Sequence, residues 1–595
     1  MKEIFYKERI KVLENRLASA NKALNFLSFT RFLTFTMAIA VLIYVLKFSI
    51  ILAVSACIIL LVVFGFQVVR FIKINKTKNH IKSLIEINNN EINVLSYRYD
   101  QFESGDEYLS TSHIYSYDLD IFGKGSLFQF LNRTSTRNGS DRLALWLSTP
   151  EKNVDNIIRR QESVKELSAM IDCRQDFLAT GKQYRESEDD MNKINKWLLD
   201  QPYYSKKTIF KILVLLLPLF TVSALIAGIF IPLFINIFIL LFLCQLLITV
   251  LRLRYNNAVH STLGKRLDML IKLNRLFACI ENEEFKSEIL LILRNKLNNG
   301  NISAHGSIKK LAAIVSAFDN RLNMLAGVIL NGMLLWDIQC IMRLEKWKLE
   351  YKDKIPEWFD ALAEFDALSC LANLHFNFPD HIFPSPETGI IIDTRDIGHP
   401  LINSRERVTN DFSIMTDREF VIITGANMTG KSTFLRTLGV NLVLAMCGAP
   451  VCASKFRFKV TGLFTSMRTS DSLQKHESYF YAELKRLKEL IEKLDSKKDI
   501  FILLDEILKG TNSADKQKGS KAILEKLIQL GGTGVIATHD LELARYEKRF
   551  PANIKNKCFE VEIEGSEILF DYKLTEGITR KMNATLLMKQ MGILK

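Results

Sequence analysis

Charge is missing from long stretches of this chain. Phe48–Val69 and Ile212–Leu251 contain no Asp, Glu, Lys or Arg, and Phe32–Leu46 is a shorter uncharged run cut off from the first by Lys47. A helix needs about 20 apolar residues to cross a bilayer. Ile212–Leu251 is therefore long enough for two spans joined by a turn at Pro232, with Gly228 and Asn236 close by. Phe48–Val69 makes one span, and Phe32–Leu46 makes another if Arg31 and Lys47 snorkel to the surface. Buried helices of a large soluble protein do not leave so long a run without charge. A cleaved leader fits no better, because Met1–Phe29 is a long charged stretch and no small-residue cleavage pattern follows it.

Other scarcities narrow the field. The nine cysteines show no CxxC or other metal-ligand spacing, so a zinc site is not expected; they read as small buried hydrophobes of a reducing compartment. There is no low-complexity tract and no repeat beyond the two apolar hairpins. Acidic residues are outnumbered, giving a net charge of +14. From Asp380 onward, however, 32 basic residues face 28 acidic ones, so most of the excess lies upstream. Part of it flanks the apolar runs: Lys22, Arg31, Arg70, Lys73 and Lys76 around the first, Lys206, Lys207, Lys211, Arg252 and Arg254 around the second. Lys47 alone sits on the far side. The positive-inside rule then places both termini and every soluble segment in the cytoplasm of a multi-pass inner-membrane protein, and anionic lipid accounts for the basic surplus as well as nucleic acid does.

What is present is a phosphate-binding loop. Gly425-Ala426-Asn427-Met428-Thr429-Gly430-Lys431-Ser432 follows the apolar strand Phe420–Ile423 and leads into a helix starting near Lys431. A strand, a glycine-bounded loop and a helix N-terminus in that order cradle a triphosphate with backbone N–H groups. Lys431 is placed to neutralise the β- and γ-phosphates, and the Ser432 hydroxyl to ligate Mg²⁺. A second apolar run, Phe501–Leu504, ends in Asp505-Glu506, where Asp505 can hold Mg²⁺ and Glu506 can polarise an attacking water. A third, Gly534–Ala537, ends in Thr538-His539-Asp540 and sets His539 at a strand's C-terminal edge to sense the γ-phosphate. ATP hydrolysis with Mg²⁺ is the expected chemistry.

These residues resemble a family. Thr424–Arg436 is similar to the ATPase loop of the MutS mismatch-repair proteins, whose usual form has Pro and Gly where Ala426 and Thr429 stand; Thr433 follows within the same loop. Leu503–Ser513 resembles their Asp-Glu segment, with Leu508 in place of a glycine. Ala537–Asp540 resembles their histidine switch. Ser470–Glu483 is similar to their signature helix, which implies that Ser478 reaches the ATP of a partner subunit, with Tyr479 where a threonine is usual. By spacing, the family's adenine-packing segment falls at Arg407-Val408. Leu119–Phe122 and Gly125–Pro150 look like the start of the MutS core, Trp358–Ala372 like the helix returning from its levers, and Ile397–Pro400 like the strand into the ATPase. No mismatch-reading domain with its Phe-x-Glu wedge precedes the core.

The resemblance implies a chain with an α/β P-loop ATPase domain of ABC type and an all-α core and lever region, to which the uncharged runs add transmembrane helical hairpins. Its divisions are a cytoplasmic N-terminal helix at 1–29, hairpin one at 30–70, a helical connector at 71–118, core and lever at 119–208, hairpin two at 209–251, the lever return at 252–378 and the ATPase at 379–595. It also implies a homodimer with ATP and Mg²⁺ at the interface, and double-stranded DNA as a candidate partner beside the bilayer. Within Lys475–Lys498, the charges at Glu483, Lys485, Arg486, Lys488, Glu489, Glu492 and Lys493 fit a solvated helix face. Three classes of function meet this pattern: a DNA-handling ATPase tethered to membrane, a membrane-remodelling or partner-gating ATPase that leaves DNA alone, and a transporter. Spans split around a soluble segment leave little room for a transport pathway.

Overall fold

The computed structural model describes residues 2–45, 47–183, 188–468, 479–496, 499–509, 512–564 and 567–579. It is mostly helical, with mixed sheets confined to the C-terminal part.

Two helices, Lys2–Val45 and Ile50–Leu95, pair along their length as the first hairpin. Each has two characters. Near the turn the side chains are apolar and exposed, with Phe48, Ile51, Leu61 and Phe66 all open; Gln67 Nε2 donates across to Thr34 Oγ1 at 3.1 Å, and the Cys57 thiol to the Ala38 carbonyl at 3.9 Å. Beyond Val69 the same helices carry charge and bury Tyr6, Leu13, Ile87, Glu91 and Val94 against the body of the protein. The divisions expected at residues 29 and 70 thus fall inside continuous helices. The connector expected to be helical over 71–118 is helical only to Leu95; one 3₁₀ turn at Asp106–Tyr108 follows. Tyr97, just past the helix, and Gly105 further along this stretch take positive φ, which ends helical propagation.

The second hairpin is shorter. Thr208–Gly228 and Leu233–Leu251 turn about Ile229–Pro232. All four hairpin helices are long and apolar enough to cross a membrane. Cys244 is exposed on the second hairpin, and Cys57 on the first and Cys279 are half-buried, so these three are not the fully buried hydrophobes expected from the sequence; the apolar runs that hold Cys57 and Cys244 face outward.

The core is organised around Ile355–Asn377, a helix buried along nearly its whole length against Arg137–Ser148 and Val154–Ala169. Asp366 on it accepts from the Ser135 and Thr136 amides and the Thr136 hydroxyl, the last at 2.8 Å. Full burial pushes its carboxyl up to about 7.

The C-terminal part is built on a six-stranded sheet in the order Leu574–Glu576, Ile554–Phe559, Phe420–Thr424, Thr533–Thr538, Ile500–Asp505, Gly462–Ser466. The last five are parallel, and the three at the centre, Phe420–Thr424, Thr533–Thr538 and Ile500–Asp505, are apolar runs buried on both faces. The register sets Thr424 beside Thr538 and Asp505 beside Ala537, so the residues after these strands leave one edge together. A four-stranded sheet has the order Ser385–Pro386, Lys455–Phe458, Ile392–Ile397, Asn410–Ile414; three of its strands precede Phe420 in sequence and Lys455–Phe458 follows it.

Candidate nucleotide site

Three consecutive-neighbour strands end at that edge, and a cavity of about 980 Å³ opens over it. Its walls include Val408, Ala426, Asn427, Met428, Gly430, Lys431, Ser432, Thr433, Asp505, Glu506 and His539. The sequence thus placed eleven of its candidates, far apart in the chain, around one space. Gly425 and Thr429 stand behind the wall as loop supports: the Thr429 hydroxyl donates to the Ala426 carbonyl at 2.9 Å, and a Cβ on Gly425 would press on it. Ser478 lies outside the described residues.

The loop geometry is that of an anion cradle. Gly430 takes φ 99°, where a side chain would be strained, and the helix Lys431–Met446 begins directly after it. The Lys431 ammonium is buried and donates to the carbonyls of Gly425 at 2.8 Å and Ala426 at 2.6 Å. Burial lowers its pKa, while Glu506 and Asp505 act against that shift. Ser432 Oγ donates to Asp505 Oδ2 at 2.6 Å, bringing together the two oxygens a hard cation would take. Their chemistry fits Mg²⁺, and the loop fits a triphosphate.

On the far wall, Glu506 Oε1 meets His539 Nδ1 at 2.6 Å and Lys516 lies 3.7 Å from its other oxygen. Burial would raise the Glu506 carboxyl, but the His539 bond and charge, with Lys516 and Lys509, outweigh it and hold it below the usual range. Glu506 and Leu508 both adopt left-handed backbone, φ 59° and 60°. The position where Leu508 replaces the expected glycine is therefore one that favours glycine.

Two charges expected on a solvated face point inward instead. Glu483 is buried and accepts from the amides of Leu508 at 2.6 Å and Lys509 at 3.1 Å, so it clamps the loop that presents Glu506. Arg486 donates from Nε to the Thr465 carbonyl at 2.9 Å and pairs with the buried Asp118 at 3.1 Å. The solvated reading fails at these positions because their partners sit 25 and 368 residues away, where no helical period can show them.

The cavity has further walls that sequence reasoning missed. Phe570 and Tyr572 stack at 6.1 Å between centroids, Tyr572 leans over Gly430, and Asn410 Nδ2 donates to the Tyr572 carbonyl at 3.0 Å. Lys509 also lines it. Asn410 falls just after the expected adenine segment, which is the one signal that could have suggested it.

Comparison with known proteins agrees with this architecture. The family model for MutS domain III matches residues 113–372 and that for MutS domain V matches residues 421–592. DNA mismatch repair protein MutS of Thermotoga maritima is 32% identical over 249 residues, 41% of this chain and 30% of that protein. The protein of the same name from Bacillus subtilis is 27% identical over 257 residues, 42% and 29% respectively. Human MutS protein homolog 4 is 31% identical over 195 residues, 31% of this chain and 20% of that protein. The chain spans less than a third of the length of these relatives. It is a MutS-family protein by its domains III and V.

Proposed function

We propose that this protein is a membrane-anchored, Mg²⁺-dependent ATPase that works as a homodimer, with double-stranded DNA as its substrate and no wedge to read mismatches. The observation that carries the reading is the convergence of Lys431, Ser432, Asp505, Glu506 and His539 on one cavity from three neighbouring strands. In this reading Lys431 exchanges its two loop carbonyls for phosphate oxygens, and Val408 and Tyr572 flank the base. Mg²⁺ held by Ser432 and Asp505 would neutralise charge developing on the phosphates. Glu506, released from His539, orients the attacking water, and His539 reports the terminal phosphate to the strand it ends. Ser478 completes the site of the partner subunit.

The division of labour follows the domain plan: the ATPase at 379–595, the core and levers at 119–208 and 252–378, and hairpins at 30–70 and 209–251 that hold the protein in the inner membrane, with both termini cytoplasmic. DNA as substrate comes from what the relatives' names say of those proteins. A second reading, in which nucleotide gates a membrane or protein partner and no DNA is bound, gains weight from the second hairpin, whose apolar helices stand within the lever stretch.

The test is Glu506→Gln in lipid vesicles. ATP should still bind and turnover should fall by about 100-fold or more. Turnover at the parent rate would overturn the assignment. The trapped protein should retard duplex DNA with a steep loss of affinity as salt rises; no retardation at low salt selects the second reading.

A further inference from the structure

Between Arg321 and Asp337 the sequence carries no charge, and most of that stretch folds as one helix, Met324–Leu334. It bends by 111° from the helical segment before it, Ala304–Leu322. Its 11 residues make it about 16 Å long, too short to cross a bilayer. It is not a core helix either. Leu322, Met324, Leu325, Val328 and Ile329 form an outward face, exposed by 43% to 84%.

The opposite face shows where the helix rests. Gly327, Asn331 and Gly332 are its buried residues. Gly332 lies against the ring of Phe242, so near that a Cβ would come within 2.3 Å of it. Phe242 is at the middle of Leu233–Leu251, about ten residues or 15 Å along the helix from Arg252. The short helix therefore leans on the second hairpin at mid-height.

Its ends are held at the charged rim instead. Arg321 pairs with the buried Asp337 at 3.1 Å and donates to Asn257 Oδ1 at 2.7 Å, just beyond Arg252. Asn331 Nδ2 donates to Asp337 Oδ1 at 3.1 Å, and the Trp336 indole to the Ala317 carbonyl at 2.8 Å. The Asn323 side chain accepts from the amides of Leu325 and Ala326, and Leu335, at φ 49°, turns the chain back. The segment leaves and returns on one side.

We propose that Met324–Leu334 is a re-entrant helix inserted in the cytoplasmic leaflet beside the second hairpin, with its outward face on acyl chains. The inference rests on the membrane-anchored reading of the hairpins. Lipid is the occupant because the helix abuts a hairpin whose Leu240, Leu243 and Leu247 are exposed in the same way. A single helix capped at its start also leaves little backbone unsatisfied in hydrocarbon. The lever then has a foot in the membrane: Trp336–Tyr351 runs from this helix towards Ile355–Asn377 and the core.

The test places a photoreactive benzoylphenylalanine singly at Leu325, Ile329, Leu240 and Lys310 of the full chain, in vesicles of phosphatidylethanolamine and phosphatidylglycerol, and measures phospholipid adducts by mass. Leu240 reports the hairpin, and Lys310, exposed on Ala304–Asp319, reports water. Adducts at 325 and 329 should match those at 240 and exceed those at 310 by about tenfold. Adducts at 240 with water-like yields at 325 and 329 would overturn the re-entrant helix and leave the anchoring intact. Water-like yields at 240 as well would overturn both.

Discussion

Lys431 in the nucleotide pocket and Arg133 beneath the first hairpin are both buried cations, yet they are satisfied in different ways. Lys431 is held by two carbonyls of its own loop, Ser432 by Asp505, and Glu506 by His539. Each of these bonds can be taken over by a phosphate, a metal ion or a water. Arg133 bonds Glu91 at 2.8 Å and the carbonyls of Phe130 and Asn132; Glu91 also accepts from Asn377, which in turn accepts from the Tyr6 hydroxyl at 2.7 Å. These partners are side chains and carbonyls of the fold itself. The pocket stores charge for exchange, whereas the junction locks charge to fix a joint between the hairpin, the core and the helix leading to the ATPase.

The largest effect should come from breaking the joint. Glu91→Ala leaves Arg133 buried without its partner and should cost about 3–5 kcal/mol of stability, read as a lower denaturant midpoint with ATP affinity unchanged. Burial would raise the Glu91 carboxyl, but Arg133 and the bonds from Asn373 and Asn377 outweigh it, so its pKa is lowered. The stabilisation is therefore present above the unfolded carboxylate range and lost as pH falls through the depressed value. The variant should lack that acid-dependent loss.

Lys431→Ala should do the reverse. A lost charge-assisted contact is worth about 1.5–3 kcal/mol, or roughly 10- to 150-fold in ATP affinity, while apo stability holds steady because the phosphate partner is not yet there. Destabilisation as large as that of Glu91→Ala would erase the distinction between pocket and joint. Glu483→Gln sits between the two cases, since Glu483 belongs to the fold but positions Glu506 through the Leu508 and Lys509 amides. Losing the charge should weaken that clamp by about 1–2 kcal/mol, lowering kcat while KM stays near the parent value. The smallest effect is expected at the second hairpin. Gln245 Nε2 donates to Thr221 Oγ1 at 2.5 Å, and Gln245→Leu should cost about 0.6 kcal/mol, measured by unfolding in detergent.

The pocket was legible in the sequence because its residues lie in short segments at strand ends, where order and spacing alone carry the chemistry. The hairpins were legible because absence of charge over a bilayer's length is a local property. Glu483 and Arg486 were not, since a helical charge pattern looks the same whether its partners are water or distant amides. Phe570 and Tyr572 reach the cavity across the edge of the sheet, with no motif of their own. The helix Met324–Leu334 left a trace, the uncharged run between Arg321 and Asp337, but a run shorter than a span gives no reason to look for one. The continuity of Lys2–Val45 was hidden by the change in composition at its middle.

That continuity has a mechanical consequence. Lys2–Val45 contains neither proline nor glycine, the usual sites of a sharp bend. From Tyr6, locked at Asn377, to Phe32, where the apolar run begins, the helix rises about 39 Å. Under the proposed anchoring, the paired helices act as a strut of fixed height between the bilayer and the last helix before the ATPase. A swing of the body about that joint has no hinge in the strut to absorb it, and would appear as tilt of the same two helices within the lipid.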